Sequence, residues 1–300
     1  MLSAVTVISI VMVIVTWPCG TILNLSIIAV YVSDWKKGVK LGESDQLSLL
    51  MGCNNLLFQC FITILEAFYL YGHCLSIEEK LCFVVSAALI FSISLSFWLT
   101  AGLSICYCLR LVNISLKFFI QLKSRLSHTV TPFLLGSLAI SFIITLSSAN
   151  WISYSKGHEN ITDIYHNNMS IADLSCRIIA VTVGNCLPSL ITSICILLSL
   201  ISLLRHIWRM KQNTQFGSPQ LKNLIKACRT MFLLMALNFL FFLIISGSAI
   251  TQNSMETIWN MIFLLGELSN PSCQAIVLIF GNSKLLSAWT KTVFPQSQHH

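Results

Sequence analysis

The sequence predicts an all-α membrane protein, a bundle of seven transmembrane helices with an extracellular N-terminus and a cytoplasmic C-terminus. Of its 300 residues, 55% are hydrophobic and 10% are charged, whereas a soluble domain carries roughly 25% charged residues. The charges concentrate in short gaps between long apolar stretches, and basic residues dominate alternate gaps. We therefore expect the lipid bilayer to surround most of the chain.

Seven apolar stretches are long enough to cross a bilayer, which requires about 20 predominantly apolar residues. Hydrocarbon offers no partner for backbone N–H and C=O groups, so each stretch is predicted to be a helix. Six of the stretches run between successive charged residues, and the seventh, 257–283, contains one charged residue, Glu267. The predicted helices cover about 6–32, 46–70, 81–110, 129–152, 178–206, 228–250 and 257–280. They form one seven-helix domain over 1–300, and 281–300 is predicted to be a short cytoplasmic tail.

The basic residues predict the orientation. The gaps after helices one, three, five and seven hold 15 of the 18 Lys and Arg residues, and such an excess marks the cytoplasmic side. The other side contains only Lys80, Lys156 and Arg177. The sequons at Asn160 and Asn168 fall in the loop after helix four, on the predicted outer side, where they can be glycosylated.

The sequence gives little support to other classes of protein. Twelve cysteines occur without a Cys-x-x-Cys pair, and most lie within predicted helices, where cysteine acts as a small apolar filler. No Gly-rich phosphate loop and no nucleophile set is present, so we expect no enzyme activity, no cofactor and no metal. The basic residues follow membrane boundaries and predict no nucleic-acid partner. A seven-span transporter or channel is the least favoured alternative, since seven spans cannot divide into two equal inverted halves.

Four sequence blocks resemble the bitter taste receptor family of G-protein-coupled receptors. The first lies in and after helix three, where the family has Trp-Leu-x-Thr, then Tyr, Lys, Ala-Asn-x-Ser and Leu-Lys-x-Arg. Here it contains Trp98-Leu-Thr100, Tyr107, Arg110, Asn113-Ile-Ser115 and Leu122-Lys123-Ser-Arg125. The other three are Ser202-Leu-Leu-Arg205-His206-Ile-Trp-Arg209-Met210, Lys226-Ala227-Cys228-Arg229 and Gly281-Asn282-Ser283-Lys284-Leu285. With Asn24 in helix one and Asp45-Gln46 at the start of helix two, the resemblance covers nearly the whole chain.

The resemblance implies a plasma-membrane chemosensory receptor. Small bitter organic ligands would bind in the outer half of the bundle, and a heterotrimeric G protein at the cytoplasmic face. A pheromone receptor of the related vomeronasal type-one family is the nearest alternative. The sequence departs from the family pattern at Asn55, Leu224 and Gln274-Ala275, where Arg, His and His-Ser are usual. The changes at Asn55 and Gln274 suggest that one interhelical contact changed as a unit.

Candidate ligand-binding residues follow from charge and from the resemblance. Ionisable groups inside a span are costly and indicate function, which selects Glu66 and Glu267. The resemblance adds pocket positions on helices three, six and seven: Leu89, Ile93, Phe241, Phe242 and Leu264. The alternatives are headgroup contact for Glu66, an interhelical hydrogen bond for Glu267 and core packing for the phenylalanines. An apolar cavity with an acid favours amphipathic ligands, some of them cationic.

Candidate G-protein contacts lie at the predicted cytoplasmic ends of helices three, five and six. They are Tyr107, Arg110, Lys123, Arg125, Arg205, His206, Lys226 and Arg229. Their alternative role is anchoring against anionic lipid. On the predicted outer side, Cys82 at the top of helix three and Cys176 in the second outer loop are exposed to an oxidising compartment. We expect these two cysteines to form a disulfide.

Overall fold

The computed structural model describes residues 4–71, 79–111, 126–156, 181–212, 219–251 and 257–293, and within them it contains α-helices and no β-strand. The helices are α1 (Ala4–Lys36), α2 (Glu43–Tyr71), α3 (Glu79–Leu111), α4 (Leu126–Lys156), α5 (Leu187–Gln212), α6 (Pro219–Thr251), α7 (Thr257–Gly281) and α8 (Ser283–Val293). A short π-helical segment, Thr182–Cys186, leads directly into α5.

The helices have the length and composition of membrane spans. In the described part of the chain, α1, α2, α3, α5, α6 and α7 are long and apolar enough to cross a bilayer, and α4 contains the shorter apolar stretch Thr131–Ser147. Large apolar side chains face outward: Ile14 and Leu135 are each 63% exposed, whereas Asn24 is fully buried. An apolar exterior around a partly polar interior is the reverse of a soluble protein. The predicted all-helical membrane bundle is therefore confirmed.

The bundle is organised around α3, which contacts α2, α4, α5 and α6. On the far side of the ring, α1 packs against α2 and α7, and α7 packs against α6. The chain thus brings residues near its two ends into direct contact. Short connections between antiparallel neighbours account for most of these pairings.

The two largest clusters of buried apolar side chains are separated by a polar layer. The lower cluster, at the end of the bundle that carries α8, includes Ile27, Tyr31, Leu47, Met51, Leu99, Leu103, Leu234, Leu278 and Leu285. The upper cluster, towards the opposite end, consists of Phe58, Ile62, Leu89, Phe97, Phe241 and Leu268. Between them lie the buried polar residues Asn24, Asn55, Gln59, Ser96, Thr100, Asn238, Asn270 and Gln274. Polar groups at this depth bond across helices, because lipid cannot satisfy them.

The segment after α7 differs from the expectation of a tail over 281–300, because Ser283–Val293 forms α8. One face of α8 packs on the lower cluster through Leu285, Leu286 and Trp289. Its other face is exposed and carries Ser283, Ser287, Thr290 and Lys291. A helix of 11 residues is marginal in isolation, so this packing is what stabilises it.

Two glycines allow close turns and contacts at the lower end. Gly38, just after α1, has a φ of 77°, a left-handed conformation that glycine adopts without steric cost. It ends α1 with a hydrogen bond from its N–H to the Trp35 carbonyl at 2.9 Å. Gly281, at the end of α7, lies so close to Thr230 of α6 that an added Cβ would collide with the threonine side chain.

Candidate functional site

The upper cluster is the candidate ligand site. It brings together the five apolar residues predicted for that role: Leu89 and Phe241 belong to the cluster, and Ile93, Phe242 and Leu264 pack against it. The Phe241 ring meets that of Phe58 edge to face, with centroids 5.6 Å apart and planes at 81°. Such pairs are favoured by the aromatic quadrupole.

Sequence reasoning missed the contribution of α2 to this cluster. Phe58 and Ile62 are buried in it, and Phe61 and Leu65 pack against it. The spacing of these four residues places them on one side of a helix, and that was the available signal. In an apolar span, however, lipid-facing and core-facing residues look alike, so the spacing did not distinguish this face from the lipid-facing one.

Two acidic residues flank the upper cluster. Glu66 follows Leu65 on α2 and is partly buried. Glu267 precedes the cluster residue Leu268 on α7; it is also partly buried and interacts with a neighbouring group. The two carboxyl groups thus lie on two of the helices that form the cluster.

Gln274 lies at the centre of the polar layer directly below the upper cluster. Its Nε2 donates to Ser96 Oγ of α3 and to Asn238 Oδ1 of α6, each at 3.1 Å. Asn238 Nδ2 in turn donates to Thr100 Oγ1 of α3 at 2.8 Å. Asn238 is one turn from Phe241, and Ser96 is next to Phe97. The polar layer and the upper cluster are therefore connected through neighbouring residues of α3 and α6.

A second set of hydrogen bonds joins α1, α2 and α7. Asn24 Nδ2 donates to the Gly20 carbonyl at 2.8 Å and to the Pro271 carbonyl at 3.2 Å. Asn24 Oδ1 accepts from Asn55 Nδ2 at 3.1 Å. Asn55 thus has different partners from Gln274, so these two departures from the family pattern do not share one interhelical contact.

A small cavity extends the polar layer towards α5. It has a volume of about 10 Å³, and its polar lining consists of Thr100, Ser189, Thr192 and Asn238. This is room for about one water molecule. A water there would bridge α3, α5 and α6 at the level of the Asn238–Thr100 hydrogen bond.

Tyr107 lies where α3, α5 and α6 converge near the lower end. It packs against a small apolar cluster formed by Ile196 and Leu203 of α5 with Cys228 and Met231 of α6. It also contacts the lower cluster. The three helix ends that were predicted to receive a G protein are therefore packed together around this ring.

The other predicted G-protein contacts have diverse surroundings. Arg110 binds α2, with its Nη2 2.8 Å from Glu43 Oε2 and its Nη1 donating to Ser44 Oγ at 3.2 Å. Arg205 and Arg229 are exposed, and Lys226 is partly buried. Lys123, Arg125 and the side chain of His206 lie outside the described residues. The structure thus assigns Arg110 a role within the protein that sequence reasoning did not anticipate.

A charged cluster at the α7–α8 junction was also missed. Lys284 Nζ lies 2.5 Å from Asp34 Oδ2 of α1 and 3.6 Å from Asp45 Oδ2 of α2, and 5.4 Å from the centre of the Tyr31 ring. Asn282 Nδ2 donates to Tyr31 Oη at 3.0 Å and to Asp45 Oδ1 at 3.3 Å. Burial lowers the pKa of Lys284, but the hydrogen bond and attraction to the two carboxylates outweigh burial and raise it. The block at 281–285, which resembles the family's ending of helix seven, was the available signal.

The remaining predicted site residues lie mostly outside the described part of the chain. Cys82 is disulfide-bonded, but Cys176 lies outside the described residues, so their pairing stays a prediction. Asn160 and Asn168 also lie outside. Among the residues that the structure describes, no group of three or more His, Cys, Asp or Glu side chains could hold a metal ion.

The fold and the layered interior define a multi-pass membrane receptor, in which an apolar cluster at one end of a helix bundle is linked to the helix ends at the other. A family model described as "Taste receptor protein (TAS2R)" matches residues 1–296. The chain therefore belongs to the TAS2R taste receptor family, whose members are G-protein-coupled receptors of the plasma membrane and not enzymes.

Similar proteins match over nearly their full length. The chain is 29% identical over 286 residues to "Putative taste receptor type 2 member 33" of Homo sapiens, which covers 92% of this chain and 89% of that protein. It is 27% identical over 285 residues to "Taste receptor type 2 member 9" of Pan troglodytes, covering 89% and 87%. It is 26% identical over 292 residues to "Taste receptor type 2 member 124" of Rattus norvegicus, covering 95% and 93%.

Proposed function

We propose that this receptor binds small bitter organic compounds at the upper cluster and activates a heterotrimeric G protein at the lower ends of α3, α5 and α6. The observation that carries this proposal is the position of the upper cluster directly above the polar layer centred on Gln274. The proposal follows the orientation that the basic residues predict, in which the N-terminus is extracellular and α8 lies at the cytoplasmic surface.

The mechanism requires two packings of the bundle with different ligand affinities. A ligand that separates Phe241 from Phe58 acts on α6 one turn from Asn238. Loss of the bonds from Asn238 and Gln274 weakens the attachment of α6 to α3 and α7. The apolar cluster around Tyr107 then has to open before a G protein can enter. By linkage, the G protein raises the affinity for the ligand by the same factor by which the ligand raises the affinity for the G protein.

Calcium release tests the overall function. Cells that express the chain with a promiscuous G protein are exposed to a panel of bitter compounds, and surface expression is verified separately. We expect a dose-dependent response to at least one compound, which the Phe241→Ala variant weakens or abolishes. Silence across the panel, with the receptor at the surface, would contradict bitter recognition.

The role of charge is tested with Glu267→Gln and Glu66→Gln on agonists of matched shape that are cationic or neutral. Near a protein surface an ion pair at about 4 Å is worth about 4 kcal/mol before desolvation. We therefore expect at least about a tenfold loss of potency for the cationic agonist and little change for the neutral one. An equal loss for both agonists would indicate a packing role for the carboxyl groups and none in charge recognition.

A further inference from the structure

A second cavity lies on the outside of the bundle, at the junction of α1, α7 and α8. It has a volume of about 170 Å³, well above the 10–15 Å³ or so that is needed to hold one water molecule. Its walls include Ala29 and Val30 of α1, Ile279 of α7, and Leu285, Ala288 and Trp289 of α8. We call this cavity the α1–α8 crevice. None of its wall residues belongs to the upper cluster.

The walls of the crevice are mostly apolar. Two hydroxyl residues line the crevice, Ser26 and Thr292, but both donate within their own helices. Ser26 Oγ donates to the Leu23 carbonyl at 2.7 Å, and Thr292 Oγ1 donates to the Ala288 carbonyl at 3.0 Å. The crevice therefore presents apolar walls without a free hydroxyl donor. An aliphatic chain fits such walls, because each buried methylene gains hydrophobic and packing free energy.

The charges beside the crevice are basic. Lys291 is exposed on α8 between the wall residues Ala288 and Thr292. Lys36 and Lys37 are exposed at the end of α1, about two turns beyond Val30. The acidic group nearest to them in α1, Asp34, is paired with Lys284. The three lysines therefore leave net positive charge where α1 and α8 end, at the depth where lipid headgroups begin.

We propose that the α1–α8 crevice is a binding site for an anionic phospholipid. One acyl chain enters between Ala29 and Ala288, and the headgroup lies against Lys36, Lys37 and Lys291. The two alanines create the space, since a larger side chain at either position would project into the crevice. This site is separate from the proposed ligand and G-protein sites and depends only on insertion of the bundle in a membrane.

The test uses the full-length receptor in nanodiscs that hold one receptor each. The lipid contains a trace of phosphatidylserine with a diazirine on one acyl chain or, in a parallel sample, phosphatidylcholine with the same chain. After illumination, labelled peptides are mapped by mass spectrometry. We expect phosphatidylserine to label peptides around Ala29 and Ala288 more strongly than phosphatidylcholine does. Both leaflets have the same composition, so the result does not depend on receptor orientation.

Variants then identify the walls and the headgroup contacts. Ala29→Leu and Ala288→Leu are made separately, so that the test stands if one of them fails to fold. Each is expected to reduce crevice labelling by about fourfold for every methylene that it displaces. Ala139→Leu, on the exposed face of α4, is the matched control and should leave crevice labelling unchanged. Lys36→Gln, Lys37→Gln and Lys291→Gln together should abolish the preference for phosphatidylserine.

Three results would overturn the proposal. Equal labelling by the two lipids would show that the crevice does not recognise an anionic headgroup. Unchanged labelling in both leucine variants would place the acyl chain elsewhere. Absence of crevice labelling in single-receptor nanodiscs would mean that no lipid occupies the crevice. A second copy of the receptor would then be the remaining candidate for this surface.

Discussion

At the residue scale, buried amides rather than charges hold the centre of this bundle together. Gln274 and Asn238 join α3, α6 and α7, and Asn24 with Asn55 joins α1, α2 and α7. Sequence comparison identified Gln274 and Asn55 as departures from the family pattern but not their partners. Partners such as Ser96 and Gln274 are 178 positions apart in the chain, and only the packing of the helices determines which polar groups meet.

Gln274→Leu should weaken the attachment of α6. It removes the donor to Ser96 and Asn238, and an interhelical hydrogen bond in a membrane protein contributes about 1 kcal/mol. That corresponds to about a fivefold shift between inactive and active packings. We expect higher basal signalling and a lower midpoint of thermal unfolding in detergent. Ser147→Ala, whose hydroxyl bonds only its own helix, is the control, and equal basal signalling in both variants would contradict the role of Gln274.

At the scale of elements, the apolar spans are largely predictable and their ends are not. A continuous apolar stretch identifies a spanning helix because lipid leaves the backbone no other choice. The end of α1 at Lys36 and the start of α2 at Glu43 depend on local backbone hydrogen bonds that an apolar pattern does not record. Helix α8 was missed for a related reason: it is too short to span, and its stability comes from distant residues of the lower cluster.

Lys284→Ala should loosen α8. The variant removes contacts with Asp34 and Asp45, and partly exposed ion pairs contribute at most about 1 kcal/mol each. Two such pairs amount to at most about 2 kcal/mol, so we expect up to about a thirtyfold decrease in coupling efficacy or surface expression. Because the pKa of Lys284 is raised, the contribution is complete below the ordinary lysine pKa of about 10.4 and declines only above it.

The charge-swapped double variant Asp34→Lys with Lys284→Asp tests whether attraction is the cause. It should recover part of the loss, whereas Asp34→Lys alone should be at least as impaired as Lys284→Ala. If the double variant were no better than the single ones, α8 would depend on shape or on Asp45 and not on the Asp34 pair. The readouts are cell-surface immunostaining and agonist-induced calcium release.

At the scale of the whole molecule, composition and charge asymmetry indicated a membrane bundle, and family membership is shown by a match over residues 1–296. The candidate ligand site was predictable in outline, because Leu89, Ile93, Phe241, Phe242 and Leu264 do meet in the upper cluster. The contribution of α2 to this site was not predictable, because periodicity within an apolar span does not distinguish the lipid-facing side from the interior. Topology across the membrane remains a prediction from the basic residues.

Glycosylation tests that topology. If the loop after α4 is extracellular, Asn160→Gln and Asn168→Gln should each increase the receptor's mobility on a denaturing gel by one glycan, and the double variant should match the glycosidase-treated protein. An N-terminal epitope should be stained on intact cells and a C-terminal one only after permeabilisation. Staining of the C-terminal epitope on intact cells would reverse the orientation.

The network around Gln274 is made of amides and hydroxyls: Ser96, Thr100, Asn238 and Gln274. None of these groups gains or loses a proton across the range from sour to alkaline foods. The protonation state of the junction between α3, α6 and α7 therefore does not depend on the pH of the solution that contains the ligand. Any effect of sourness on the response of this receptor would have to arise at titratable groups outside this network, such as histidines and carboxyl groups elsewhere in the chain, or in the ligand itself.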